Sequence, residues 1–298
     1  MTNPSLAFQP EQGAKECLFN QSKFSPIQPE QGKILFIDGG SMSLAETPSF
    51  TLALIRVYYC IFDNGKKIRQ KRLEAKVKVT DVVSIEEGAL CDLLKEFPAP
   101  SLDACRRNAE LLLAAQASSL LKRGDVLCID GSLCPKDDKK ALSHLANKCA
   151  EQGVMLAGFC KTSDLLTKDR KPIGNALGQE TGLEMWQYAP CQEVVIGETI
   201  VQTCFAKLHP RSRHVFRIDT SDKDAIPILA SHCKDPSFFG YPYGLIVADQ
   251  FARIGYNEAE RIKLLLKVRN PGLMAQEKDA HGILDAINAP KIQTKRFK

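Results

Sequence analysis

The sequence predicts an α/β fold, with a mixed β-sheet flanked by helices and extra helices at the C-terminal end. The first observation is an apolar run ending in Ile-Asp-Gly, which occurs at 34–41 and again at 126–133. The second is the order of patterns between the two copies, a strand hairpin and then one long helix. Each run is typical of a buried strand that delivers one aspartate, Asp38 or Asp130, at its carboxyl end, where the backbone turns on glycine. Two ordinary strand-ending turns are the alternative, because Asp-Gly is a common turn dipeptide.

Composition and charge are those of an ordinary globular protein. The chain has 298 residues, of which 44% are hydrophobic and 25% are charged. The sequence contains no apolar run of membrane-spanning length and no signal-peptide pattern, so we expect a cytoplasmic protein without a membrane span. Eleven cysteines without Cys-x-x-Cys or zinc-like spacing indicate free thiols. The net charge of +5 is too mild to indicate nucleic-acid binding by itself.

The first third of the chain predicts an arm followed by three strands. Residues 1–32 hold four prolines and no periodic apolar pattern, which indicates a flexible arm. A strand at 33–38 precedes an aromatic and β-branched strand at 51–62, and Asp63-Asn64-Gly65 is a strong hairpin signal. The strand at 68–80 alternates apolar and charged residues, so one of its faces should contact water.

The rest of the chain alternates helices and strands. Ser101 is the expected cap of a long helix at 102–123, which Gly124 ends. The remaining apolar patterns predict a strand at 126–130, a helix at 138–152, a strand at 154–160, strands near 193–206 and 213–218, and helices near 222–234 and from about 245 to 267. A strand, two hairpin partners, a helix, a strand, a helix and a strand form the order of the ribonuclease H-like fold.

The ribonuclease H-like fold carries acidic residues at the end of its first strand, on its first helix and at the end of its fourth strand. This chain has an acidic residue at each of these places, Asp38, Glu110 and Asp130. Glu110 borders the apolar stretch 111–121, where a carboxylate costs free energy unless it is paired or bound to a metal. A solvated glutamate, or one paired with Arg106 or Arg107, is the alternative.

Three carboxylates around one point suit a hard divalent cation with oxygen ligands, Mn²⁺ or Mg²⁺. Two such ions about 4 Å apart can activate water and stabilise the leaving oxygen in phosphodiester hydrolysis. The trio therefore predicts a metal site for phosphoryl chemistry.

Four further residues are candidates for the site or for DNA contact, Asp249, Tyr241, Lys161 and Arg217. Asp249 follows three apolar residues near a helix start and is a candidate metal ligand; a first-turn aspartate is the alternative. Tyr241 is a candidate for hydrogen bonding to a phosphate or stacking on a base, against simple core packing. Lys161 and Arg217 are candidates for phosphate contact. Basic clusters at 66–72, 161–171, 211–214 and 291–298 are either solvated surface or phosphate-binding faces.

In these motifs the chain resembles the NurA nucleases, metal-dependent DNA nucleases encoded beside the HerA helicase-translocase. The resemblance covers roughly residues 33 to 267. The motifs that show the resemblance are Phe36 to Ser41, Arg106 with Glu110, Ile129 to Leu133, Gly158 to Ser163, Val215 to Ile218, Gly240 to Pro242, and Ala248 with Asp249. The family often has histidine where this chain has Asp249, and usually has proline where this chain has Gly244.

The resemblance implies a ribonuclease H-like nuclease that uses Mn²⁺ (or Mg²⁺) and acts on single-stranded DNA and duplex ends. It implies a homodimer that docks on a HerA-type hexameric translocase and works in end resection during double-strand break repair. The implied domains are a flexible arm at 1–32, a nuclease domain at 33–267, and a C-terminal helix with a basic tail at 268–298. Asp38, Glu110, Asp130 and Asp249 are the implied metal ligands.

Two other functions stay open at this point. An actin-like or sugar-kinase-like ATPase also repeats an Asp-Gly phosphate turn, and a catalytically silent adaptor of a DNA translocase would need no active carboxylates. The termini carry spaced apolar residues, which we expect to serve a subunit or helicase contact. These residues are Leu6, Phe8, Leu18, Phe19, Phe24, Ile283, Leu284 and Ile287.

Overall fold

A computed structural model describes residues 15–16, 19–46, 50–79, 83–88, 90–95, 97, 99–134, 138–167 and 169–269. Its strands are β1 (Lys15–Glu16), β2 (Phe24–Pro26), β3 (Lys33–Glu46), β4 (Thr51–Asp63), β5 (Lys66–Val79), β6 (Val83–Gly88), β7 (Val126–Asp130), β8 (Met155–Cys160), β9 (Trp186–Ile196), β10 (Thr199–Lys207) and β11 (Phe216–Thr220). Its α-helices are α1 (Cys91–Lys95), α2 (Leu102–Ala117), α3 (Lys139–Gln152), α4 (Ile173–Gln179), α5 (Ala225–Ser231), α6 (Tyr243–Ala252) and α7 (Tyr256–Arg269). None of these helices is long and apolar enough to span a membrane.

The described strands form one mixed sheet in the order β1-β9-β10-β11-β8-β7-β3-β4-β5-β6, with β2 beside β9. The central strands β3, β7 and β8 are parallel, and the outer strands are antiparallel. Helices α2 and α3 pack on one face of the sheet, and α5 and α6 pack on the other. Both faces are therefore covered at the centre, which explains why the central strands are continuously apolar. This architecture confirms the predicted α/β class.

Local turn chemistry explains the hairpin between β4 and β5. Asn64 and Gly65 both have positive φ, 49° and 79°, as a two-residue hairpin turn of the primed type requires. The predicted strands at 51–62 and 68–80 are confirmed within about two residues. Residues 66–72 of β5 are exposed on both faces, so this end of the strand contacts water more fully than we expected.

The first Ile-Asp-Gly copy does not end its strand. Strand β3 continues through Asp38 to Glu46, because its second half pairs with β4 as far as Thr51. The second copy behaves as predicted: β7 ends at Asp130, and Gly131 turns with a φ of 101°.

Three predicted boundaries are wrong. The helix after the Ser101 cap ends at 117 and continues as a short 3-10 turn at 118–120 rather than running to 123. The single strand near 193–206 is a hairpin of β9 and β10 that turns at Gly197. The helix expected from 245 to 267 is two helices, because Ile254 between them is buried against an apolar cluster.

The described part of the arm is packed against the sheet. Phe19 stacks on Tyr188 at 5.7 Å, and Phe24 contacts Trp186 edge-on at 5.2 Å. Residues 19–32 therefore differ from the flexible arm that we expected, because their aromatic rings cover the outer strand β9. The other apolar terminal residues of the assembly prediction, Leu6, Phe8, Leu18, Ile283, Leu284 and Ile287, lie outside the described residues. The domain boundaries stay predictions.

Candidate active site

Asp38 and Asp130 are neighbours on adjacent parallel strands. The register of β3 and β7 pairs Ile37 with Ile129, so the aspartates that follow lie side by side, about 4.8 Å apart along the sheet. Their cross-strand partners on the outer sides are Tyr58 and Phe159. Since directly opposed residues share a face, both aspartates belong to the face that α6 covers.

Glu110 approaches the chain beside Asp38 from the opposite face of the sheet. It lies on α2 and is 1% exposed. A Cβ at Gly39 would lie only 2.7 Å from its Oε1 atom, so the missing side chain of Gly39 makes room for this carboxylate. The glycine of the first Ile-Asp-Gly copy thus permits a close approach rather than a turn.

Two arginines hold Glu110. Arg106 pairs with its Oε1 atom and also with Asp103, at 2.7 Å. Arg107 Nη1 lies 3.2 Å from its Oε2 atom and donates to the carbonyl of Asp130 at 3.0 Å. Glu110 is therefore paired with both arginines, the alternative that the sequence left open. The hydrogen bond from Arg107 to the Asp130 carbonyl also connects α2 to the end of β7.

The cluster of carboxylates disfavours the ionised form of Asp38. Burial raises the pKa of Asp38 most, the negative charges of Glu110 and Asp130 raise it further, and together they bring it to about 8. Burial also raises the pKa of Glu110, although Arg106 and Arg107 oppose the shift. A positive charge between the aspartates would reverse this effect on Asp38.

Lys161 and Tyr241 close the same site. The Nζ atom of Lys161 lies 2.6 Å from Asp130 Oδ2 and 5.6 Å from the centre of the Tyr241 ring. The buried hydroxyl of Tyr241 has no hydrogen-bond partner within the described structure. Burial first, and then the charge of Asp130, raises the pKa of Tyr241, so this hydroxyl is a donor rather than an anion.

A model of the NurA domain family matches residues 32–254. The chain belongs to the NurA family.

Solved structures of NurA proteins share this fold. The NurA nuclease from Sulfolobus solfataricus matches with a TM-score of 0.54 and 17% identity, over 83% of this chain and 86% of that one. A second NurA structure matches with a TM-score of 0.56 and 10% identity, over 85% and 93%. No curated protein sequence matches the chain. The family and the shared fold support a nuclease.

The donor chemistry of this NurA site suits a hard divalent ion at the two aspartates, because carboxylate oxygens are its preferred ligands. The third carboxylate is engaged differently, since both oxygens of Glu110 contact arginines. Across the residues that the structure describes, no group of three or more His, Cys, Asp or Glu side chains is arranged to hold a metal ion. The shared metal site of Asp38, Glu110 and Asp130 therefore stays a prediction.

Two further candidates of this NurA chain are paired with other side chains, although the negative charge of Asp249 also acts on Lys161 and Tyr241. Asp249 on α6 is partly exposed and pairs with Arg253 at 2.9 Å. Arg217 is 4% exposed, and its Nε atom lies 2.9 Å from Asp219. Direct contact between Arg217 and DNA would require its buried contacts to break.

Asp219 is a residue that sequence reasoning missed. It is fully buried and accepts hydrogen bonds from the Ser132 hydroxyl at 2.7 Å, the Leu133 amide at 3.0 Å and the Thr203 hydroxyl at 2.7 Å. These bonds fix the loop that follows Asp130. The sequence did contain a signal for this pair: Arg217 and Asp219 are two residues apart in an apolar strand, and this spacing places both side chains on the same face of the sheet.

Proposed function

We propose that this NurA-family protein is a deoxyribonuclease that depends on Mn²⁺ (or Mg²⁺) and hydrolyses phosphodiester bonds. One observation carries the proposal: Asp38 and Asp130 lie side by side, and Glu110 lies against Gly39, the residue that follows Asp38. Buried carboxylates this close repel one another unless a cation lies between them.

The charged and polar residues of the site have different roles in the proposed reaction. Asp38 and Asp130 would hold the ion, and Glu110 would add a third negative charge that strengthens the attraction for it. When bound, such an ion supplies activation of the attacking water and stabilisation of the leaving oxygen. The ammonium group of Lys161 contacts the scissile phosphate, and the unpartnered hydroxyl of Tyr241 donates to a phosphate oxygen. Asp249 orients the substrate or the ion from α6.

The substrate that this site would take is DNA, as single strands or duplex ends. Lys161 offers one cation at the carboxylates. The ring of Tyr241 beneath it is 2% exposed and packs against Phe159, Phe216 and Phe238, as the core-packing alternative expected. Arg217, which the sequence suggested for phosphate contact, supports the site through Asp219 and the Ser132 hydroxyl, 3.2 Å from its Nη2 atom.

The proposal includes assembly. The family resemblance implies a homodimer that docks on a HerA-type hexameric translocase for end resection in double-strand break repair. In support, α7 exposes four large apolar residues, Tyr256, Leu264, Leu265 and Val268. Apolar residues on an outer helix surface are typical of protein contacts. Light scattering tests the dimer, and a monomeric mass at micromolar concentration would contradict it.

The nuclease is tested with end-labelled single-stranded and duplex DNA in titrations of Mn²⁺ and Mg²⁺. We expect cleavage that requires the ion and that Asp130→Asn abolishes, because the variant keeps the shape of the side chain and loses its charge. Glu198→Gln is the matched control, since Glu198 is an exposed acid in the turn between β9 and β10.

Each rival function predicts a different result. A silent adaptor would leave DNA intact at every ion concentration, and Asp130→Asn would not change that result. An ATPase of the actin or sugar-kinase type would bind and hydrolyse ATP, so binding of labelled ATP would favour that class.

A further inference from the structure

A surface rich in cations and aromatic rings lies beside the carboxylates. It is built by the loop 208–215, between β10 and β11, and by the turn 234–241. Because Arg217 of β11 pairs with Cys160 of β8, the loop leaves the sheet at the edge where β7 ends in Asp130. Strand β11 lies two strands from β7, so the loop begins roughly 10 Å from Asp130.

The loop and the turn are locked together. Gly240 has a φ of 89°, and a Cβ there would lie 2.6 Å from the hydroxyl of Ser212. That hydroxyl in turn donates to the carbonyl of His214 at 3.1 Å. The ring of His209 stacks on Phe239 with a centroid distance of 4.5 Å. The surface is therefore preformed, which reduces the entropy cost of binding.

Three cations of this surface are exposed, Arg211, Arg213 and Lys234. None of them has a carboxylate partner among the described residues. The guanidinium of Arg211 lies 5.7 Å from the centre of the Phe239 ring. Burial, and then the charges of Arg211 and Lys234, lower the pKa of His209, so these cations lie within electrostatic range of one site.

Aromatic rings connect this surface to the carboxylates. Phe238 stacks on Tyr241 at 5.1 Å, and His214 contacts Phe238 edge-on at 5.5 Å. His214, Phe238 and Tyr241 thus form a row of rings, and Lys161 lies over Tyr241, at the end of the row nearest the carboxylates. A cation therefore lies at the inner end of three successive rings, and Arg211 contacts a second ring pair, Phe239 with His209.

We propose that residues 209–214 and 234–241 bind the single-stranded DNA segment that leads to the carboxylates. The inference rests on the proposed nuclease function and assigns its substrate path. Unpaired cations attract phosphates, and the partly exposed rings of Phe238 and Phe239 and the exposed ring of His214 can accept unstacked bases without sequence preference. A second copy of the chain is a poor occupant, because a two-fold contact would set this positive surface against itself.

The test compares two triple variants that remove the same charge. The first removes the cations of the proposed surface, Arg211→Ala, Arg213→Ala and Lys234→Ala. The control removes three exposed cations of β5 that also have no carboxylate partner among the described residues, Lys66→Ala, Arg69→Ala and Lys71→Ala. Affinity for labelled single-stranded DNA is measured against salt concentration, with a chelator present to prevent cleavage, and thermal melting checks that both variants fold.

The first variant should bind roughly 10- to 100-fold more weakly than the wild type. Its slope of log affinity against log salt should flatten by about 2, since each lost phosphate contact contributes about 0.7 on single strands. The control should stay within about twofold in affinity. In cleavage assays the first variant should raise the KM for oligonucleotides and leave hydrolysis of a small phosphodiester, bis(p-nitrophenyl) phosphate, unchanged.

The outcomes separate this inference from the nuclease proposal. If the wild type binds and cuts DNA but the first variant keeps its affinity and salt slope, the inference is overturned and the nuclease proposal stands. Equal losses in both variants also overturn it, because total charge would then explain binding. If the wild type binds DNA through this surface but never cuts it, the inference holds and the nuclease proposal fails.

Discussion

Neutralising Asp38 should stabilise the metal-free protein. The carboxyl is 7% exposed and ionises near 3.8 in an unfolded chain, but burial and the charges of Glu110 and Asp130 raise its folded pKa to about 8. At pH 7 the folded state must therefore keep a proton that the unfolded state has released, at a cost on the order of 4 kcal/mol. Asp38→Asn removes this cost and keeps an oxygen for the amide of Gly39, which Oδ1 accepts at 2.7 Å.

The sign of the pH dependence follows from the raised pKa. Below about pH 4 the carboxyl is protonated in both states and costs nothing; the cost grows as pH rises towards 8 and is constant above it. Urea denaturation with a chelator present should therefore show wild-type stability falling between pH 4 and pH 8, and a flatter profile for Asp38→Asn. Added Mn²⁺ should stabilise the wild type and have little effect on the variant.

Glu198→Gln is the control, because a surface change of one charge usually alters stability by about 0.5 kcal/mol or less. The reasoning is refuted if metal-free Asp38→Asn is less stable than the wild type at pH 7, or if both proteins show the same pH profile. Either result would mean that burial and the neighbouring carboxylates do not raise the pKa of Asp38 in the folded protein.

Three further substitutions follow from close contacts. Gly39→Ala should displace Glu110, because the new methyl would lie 2.7 Å from its Oε1 atom, and DNA cleavage assays should show a larger loss than thermal melting. Gly244→Ala should destabilise by about 2 kcal/mol or more, measured in urea, since its Cβ would lie 2.0 Å from Phe36. Asp219→Asn should cost about 3 kcal/mol or more in the same measurement, because it removes the negative charge that lies 2.9 Å from the buried guanidinium of Arg217.

Turn chemistry and apolar patterning were sufficient to predict the centre of the fold. The two apolar runs that end in Asp38 and Asp130 determined two buried strands, and Asn64-Gly65 determined the hairpin, because these signals depend only on neighbours in the chain. The boundaries that failed depend on packing. The break after α6 exists because Ile254 finds an apolar cluster supplied by β3 and β4, which no local pattern reveals.

For the site, the sequence by itself determined which acids could meet, and only the tertiary structure decided what each one contacts. Asp38, Glu110 and Asp130 could be named because a repeated apolar strand pattern and a helix position fix where each carboxylate starts, although only Asp130 ends its strand. The pairing of Glu110 with Arg106 or Arg107 was an alternative that the sequence left open, and the burial of Arg217 against Asp219 could not be predicted. The hydrogen bonds that Asp219 accepts from Ser132 and Thr203 cross the space between elements, and that distance is set only when the sheet and helices pack together.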